Sequence, residues 1–213
     1  MSAQAKKARR SIYGVHPSVA LVQKWIAELQ EESGRSLYEW IEIVNREGPK
    51  AEKERREWLK SKHQLATNSA SWIAERAGGT GGEMDSPEKY SEIAQKYVAE
   101  QYSERKESLR PIYEDLLQLA AGLGADVKAC PCKTMVPLYR LHVFAQIKAT
   151  TNSRVDLGLA LTHYKGKLPK RIVDTGGLAK KDRITHRIEL QSPVQIDGDV
   201  AKWLETAYRL DGN

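Results

Sequence analysis

One phenylalanine, three methionines and two cysteines are all that this chain of 213 residues has of those types. Two cysteines cannot build the disulfide framework of a small secreted domain. Cys130 and Cys132 are separated by a single proline, so a bridge between them would be strained, and no third thiol exists to pair with either. A structural zinc site needs four ligands at recognised spacings; there is no second cysteine pair, and His142 and His163 add no spacing that helps. No metal and no cofactor is expected. Long apolar runs are missing too. None approaches the roughly 18 residues of a membrane-spanning helix, and the basic N-terminus lacks the apolar stretch of a secretory signal. The expectation is a soluble, cytoplasmic chain with no membrane partner. Also missing are the Gly-x-Ser-x-Gly elbow, the His-Glu-x-x-His zinc motif and a dinucleotide fingerprint. Those absences remove the common enzyme classes without excluding catalysis; no catalytic residue is assigned.

What is present is ordinary globular material, 40% hydrophobic and 29% charged. Residues 1–14 carry Lys6, Lys7, Arg9 and Arg10 with no acid, which reads as a basic disordered tail. Val19, Val22, Ile26 and Leu29 then recur at helical spacing up to Gly34. Ser36–Leu37–Tyr38–Glu39 fits a capping box ahead of a stripe of Leu37, Trp40, Ile41 and Val44. Gly48–Pro49 ends that helix. A highly charged third helix follows, then a fourth striped by Ala70, Ile73, Ala74 and Ala77. Residues 15–78 are therefore read as a small helical domain. The glycine run within 79–86 is read as a linker, because it lacks the Lys-Ser/Thr that a phosphate-binding Walker loop requires.

Residues 87–213 are read as an α+β domain. Two helices come first, striped by Tyr90, Ile93 and Tyr97, then by Ile112, Tyr113 and Leu116. The apolar period then falls from 3.6 to 2. Strands are expected at 126–132, 134–140, 142–149, 154–161 and 185–190, with a long basic loop over 162–183 and a final helix opened by Asp197–Gly198–Asp199. Short connections imply hairpins and an antiparallel sheet flanked by helices.

Gly34–Arg35–Ser36–Leu37–Tyr38–Glu39–Trp40, Glu47–Gly48–Pro49–Lys50, and Trp58–Leu59–Lys60 with His63 resemble a small bacterial helical domain. Leu109–Arg110–Pro111–Ile112–Tyr113, Lys133–Thr134, Arg154–Val155–Asp156–Leu157–Gly158–Leu159 and Thr185–His186–Arg187 resemble a second domain that follows it. The whole is similar to an uncharacterised bacterial two-domain family, domain-of-unknown-function 4287 followed by domain-of-unknown-function 5655. The resemblance covers most of residues 30–208. It implies the domain division and no settled activity. Such sequences often place an aromatic after Lys133–Thr134, where this one has Met135.

Charge is uneven. Net charge is +6, yet residues 133–187 alone hold twelve Lys/Arg against three Asp. That excess marks an anion-binding surface. Its candidate residues are Lys133, Arg140, Lys148, Arg154 and Asp156, with Lys180, Lys181, Arg183 and Arg187. Val155, Leu157, Leu159 and Leu161 share one strand face, which leaves Arg154, Asp156 and Gly158 on the other. Gly158 would let a ligand approach closely, or would merely mark a twist; Asp156 would orient an arginine, or form a structural salt bridge. Thr185 and His186 are a further polar pair, although the parity of His186 with Ile188 and Leu190 favours a core histidine. The leading expectation is a non-enzymatic module whose basic sheet face binds a polyanion, nucleic acid foremost. The alternatives are a protein–protein contact, with the tryptophans as anchors, a small phosphorylated ligand, or a small enzyme using Asp156 or His186. A flat basic face would favour nucleic acid and a pocket a small ligand.

Overall fold

The computed structural model describes residues 12–212. The basic segment 1–11 expected as a tail lies outside the described residues. Ile12–Gly14, counted with that tail in the sequence reading, is instead paired. Tyr13 bridges Ala129 in parallel, with Ala129 N donating to Ile12 O at 2.9 Å and Gly14 N to Ala129 O at 3.0 Å.

The chain divides into two compact units, Val15–Ile93 and Met1–Gly14 with Ala94–Asn213. The first holds helices α1 (Ser18–Ser33), α2 (Leu37–Glu47), α3 (Glu52–His63) and α4 (Thr67–Ala77). Gly34 ends α1 at φ +75°, a conformation open to glycine. The capping box of α2 is present, with Ser36 N donating to Glu39 Oε2 at 2.7 Å. Leu29, Trp40, Val44, Leu59 and Ile73 form the core, with Trp25 and Trp58 packed against it. Two of the indoles are satisfied internally: Trp25 Nε1 donates to Ser69 Oγ at 3.0 Å and Trp40 Nε1 to Ser33 Oγ at 2.8 Å. The glycine run lies inside this unit, folded back on the end of α4. Thr80 donates through both its amide and its hydroxyl to Glu75 O, and Arg76 is ion-paired with Asp85.

Helix α5 (Pro87–Gln101) carries the chain across the division into the second unit. A 3-10 turn, Glu104–Leu109, leads there into α6 (Arg110–Ala121). The strands are β1 (Lys128–Ala129), β2 (Val136–Tyr139), β3 (Val143–Thr151), β4 (Arg154–Leu159), β5 (Val173–Asp174) and β6 (His186–Leu190), and helix α7 (Gly198–Leu210) closes the unit. All strands pair antiparallel in the order β1-β2-β3-β4-β6-β5. The α+β class stands. The sixth strand, β5, falls within the stretch expected as loop; its two residues are too few to show a period. Phe144 also departs from strict alternation. A register shift in the β2–β3 pairing makes it an extra residue on β3, and it is fully buried beside Ala145, its ring edge-on to Tyr208 at 5.6 Å.

Val155, Leu157 and Leu159 of β4, Ile147 of β3, and Ile188 and Leu190 of β6 are fully buried in one apolar cluster. The same cluster takes in Ile112 and Leu116 of α6 and Val200 and Leu204 of α7. One sheet face is thus core, and the other is polar.

Tyr113 of α6 is 2% exposed, and its hydroxyl meets the Tyr13 hydroxyl at 2.6 Å. Burial and that bond hold its ionisation well above the usual phenol range. Tyr13→Phe removes the bond and strands a buried hydroxyl, so stability should fall by about 1–2 kcal/mol. A thermal melt should read this as a drop of roughly 2–8 °C; an unchanged melt would mean that Ile12–Gly14 adds nothing to the unit.

Candidate functional site

The polar face is ordered by register. Lys148, Asp156 and Glu189 form one cross-strand row, and Gln146, Gly158 and Arg187 the next. Arg154 Nε stands 2.9 Å from Asp156 Oδ1 and its Nη1 3.2 Å from Glu189 Oε1. Arg187 donates twice to Glu189 Oε1, at 3.0 and 2.8 Å, and Thr150 Oγ1 donates to Asp156 Oδ2 at 2.8 Å. Two guanidinium groups therefore face two carboxylates, and these four charges balance, leaving Lys148 as the excess cation of the face. The space above Gly158 is taken by Gln146 and Ile184: a Cβ there would come within 2.7 Å of both side chains. A glycine is needed for that packing, and no opening for a ligand exists at this point.

The other expected residues are dispersed. Arg140 is held by Asp126 at 2.9 Å and lies over the Tyr208 ring. Arg183 donates to Val143 O at 2.8 Å and pairs with Asp211, whose carboxylate also accepts from the amides of Leu141 and His142. Thr185 is 1% exposed; its hydroxyl accepts from Leu161 N at 3.2 Å and meets His186 Nδ1 at 2.9 Å. That pair joins the β4 and β6 ends. Lys180 and Lys181 sit on the loop before β6, where Lys181 lines a shallow hollow with His163 and Arg183.

A rule covers the whole basic segment. Each arginine between 133 and 187 is ion-paired: Arg140, Arg154, Arg171, Arg183 and Arg187. None of its lysines is in an ion pair among the described residues. Except for Asp156, the carboxylates engaged (Asp126, Glu189, Asp197 and Asp211) come from outside the segment. The charge left over belongs to lysines.

Lys133 and Lys148 come together on a cleft of about 580 Å³, bounded by the 3-10 turn, the start of the β2 hairpin and the end of β3. Arg105 and Lys106 enter it from the turn, and Glu100 and Glu104 are its acids. Lys106 Nζ is anchored by Ala149 O at 2.6 Å. Arg105, Lys133 and Lys148 have no acid partner among the described residues. Arg105 and Lys106 escaped the sequence reading. The available signal was the charged break Glu104–Arg105–Lys106–Glu107 between two apolar stripes, but only the sheet pairing shows what it faces.

Cys130 and Cys132 occupy the β1–β2 hairpin, with Cys132 Sγ 3.7 Å from Cys130 O. Burial, helped by its neighbour Cys132, pushes the Cys130 thiol up to about 12, and burial raises Cys132 as well. No group of three or more His, Cys, Asp or Glu able to hold a metal ion occurs among the described residues, and no helix there is long and apolar enough to cross a membrane.

The family model described as Domain of unknown function (DUF5655) matches residues 98–211, and that described as Domain of unknown function (DUF4287) matches residues 22–77. No curated protein and no solved structure matches the chain.

Two outcomes follow from this geometry. Arg154→Ala leaves the 13%-exposed Asp156 side chain short of its nearest cation, so stability should fall by roughly 1–3 kcal/mol while anion affinity stays unchanged. Chemical denaturation combined with phosphate titration separates the two effects, and lost affinity with intact stability would return Arg154 to the binding surface. Because the thiolate is the reactive form, iodoacetamide should alkylate the folded protein very slowly at pH 8 and faster as pH rises toward the raised thiol values. Prompt labelling at pH 8 would contradict the burial of Cys130 and the half-burial of Cys132.

Proposed function

We propose, from the premise that the chain belongs to the DUF5655 family, that its sheet unit is a non-enzymatic binding module for a phosphorylated ligand. The observation that carries this reading is the convergence of Arg105, Lys106, Lys133 and Lys148 on one cleft, while Arg154 and Arg187 are engaged by Asp156 and Glu189. Phosphate oxygens accept several charge-assisted hydrogen bonds at once, and unpaired lysines around a concavity supply them as mobile point charges. The two polar residues that the sequence offered on the sheet face, Asp156 and His186, are already engaged: Asp156 by Arg154, Arg187 and Thr150, and His186 by Thr185.

Nucleic acid is the second reading, favoured by the twelve Lys/Arg against three Asp over residues 133–187. A polynucleotide would engage the loop lysines Lys180 and Lys181 as well as the cleft. Its binding would fall steeply with salt, because each phosphate contact releases counterions.

Calorimetric titration with pyrophosphate at low salt should give saturable binding, weakened roughly tenfold or more by Lys133→Ala with Lys148→Ala, since charge-assisted bonds are lost. Lys180→Ala with Lys181→Ala should leave it unchanged. Oligonucleotide binding that depends on both lysine pairs, with pyrophosphate inert, would move the assignment to nucleic acid.

A further inference from the structure

We infer that the ligand of the cleft is a phosphorylated sugar or polyol rather than a nucleotide; this rests on the phosphate reading above and specifies what the phosphate is attached to. The cleft holds more than a phosphate needs. At about 580 Å³ it lies in the size range of small-molecule sites and exceeds what a lone phosphate fills. Its cations come from the 3-10 turn, the β1–β2 connection and β3, but Glu100 and Glu104 line it too, with Gln101, Asn152 and Thr134. A carboxylate in a phosphate site repels the phosphate. Its use is as an acceptor for hydroxyl groups, which sugars and polyols offer in numbers. No aromatic side chain lines the cleft, so a nucleobase would find no ring to stack on.

Two features indicate that the acceptors are kept for a donor. Glu104 is held at φ +51°, a left-handed conformation that a non-glycine residue adopts only under constraint from its surroundings. Although four cations line the same cleft, none is ion-paired with it among the described residues. Gln101, 9% exposed, spends its amide nitrogen on Cys132 O at 2.7 Å, and its Oε1 has no partner. A buried acceptor left open beside a polar cleft calls for an outside donor. A hydroxyl can donate there, whereas an ionised phosphate cannot.

The chemistry is shared by a free sugar phosphate and by the headgroup of a phosphorylated inositol lipid. The experiment is a calorimetric comparison of inorganic phosphate, glucose 6-phosphate, inositol 1-phosphate and AMP on the full chain. Vesicles of phosphatidylcholine with and without phosphatidylinositol 4-phosphate form a separate arm. Glucose 6-phosphate or inositol 1-phosphate should bind about tenfold tighter than inorganic phosphate or AMP, one hydroxyl–carboxylate bond being sufficient for that ratio. Glu104→Ala, which removes the acceptor, should abolish this preference and leave inorganic phosphate binding equal or slightly stronger. Glu104→Asn, better suited to the left-handed backbone, should lose the preference while raising the melting temperature of the unliganded protein. Vesicle binding that requires the phosphorylated lipid and exceeds binding of free inositol 1-phosphate would assign the lipid source, and the reverse the free metabolite. Equal affinity for inorganic phosphate and the sugar phosphates, or tighter AMP, would overturn the inference while sparing the phosphate reading. Absence of binding by all of them would overturn both.

Discussion

The burial of Val155, Leu157 and Leu159 along one face of β4 is the contact on which the sheet unit depends. β4 is central, paired to β3 on one side and to β6 on the other, and its three apolar residues are fully buried in the cluster shared with α6 and α7. Each such side chain is worth about 1.5–3 kcal/mol on removal from water. Strand periodicity then forces Arg154, Asp156 and Gly158 to the opposite face. A slip of one residue would expose the core row and bury the charges, so the same constraint sets the register. The rows Lys148–Asp156–Glu189 and Gln146–Gly158–Arg187 follow from it.

That register explains why the arginines and lysines of the basic segment behave differently. Arginine has a planar fork that matches a carboxylate, and the sheet places carboxylates beside it. Arg154 and Arg187 therefore lie down on the face and tie β4 to β6. Arg140 and Arg183 tie the β2–β3 region and the β6 approach to Asp126 and Asp211. Lysines carry a strongly hydrated charge on a flexible stem, and those of this segment form no ion pair among the described residues. The arginines are thereby structural, and the lysines are left to meet a ligand.

The architecture was largely legible in the sequence, because it rests on period and punctuation. The Ser36–Glu39 capping box, the alternation of Val155, Leu157 and Leu159 in β4 and the cap at Asp197 are local signals that the fold keeps. β5 was not legible, since two residues show no alternation. Nor was the burial of Phe144, which depends on a register shift against β2 rather than on its own neighbours. The pairing of Ile12–Gly14 with Ala129 is a contact across more than a hundred residues, out of reach of any sequence window. Of the expected site, Lys133 and Lys148 meet in one place; Arg105 and Lys106 were hidden because the 3-10 turn approaches β3 only in three dimensions.

Local charge counts fail here for an identifiable reason. A window of sequence counts cations and acids that are neighbours along the chain, but neutralisation happens between neighbours in space. The acids that neutralise most of this segment lie at 126, 189, 197 and 211, at or beyond its ends, and an antiparallel sheet with a returning helix brings them back to it. Subtracting those pairs leaves seven lysines, two of which share a cleft with an arginine and a lysine from a separate element. An ion-paired arginine has much of its charge already offset by its carboxylate, so it adds less to the binding of a phosphate. An unpaired lysine gives up only hydration and side-chain freedom. The ligand-binding potential of this face therefore lies at its edge, where charge and carboxylate coexist without cancelling, and not at its centre, where they have already combined.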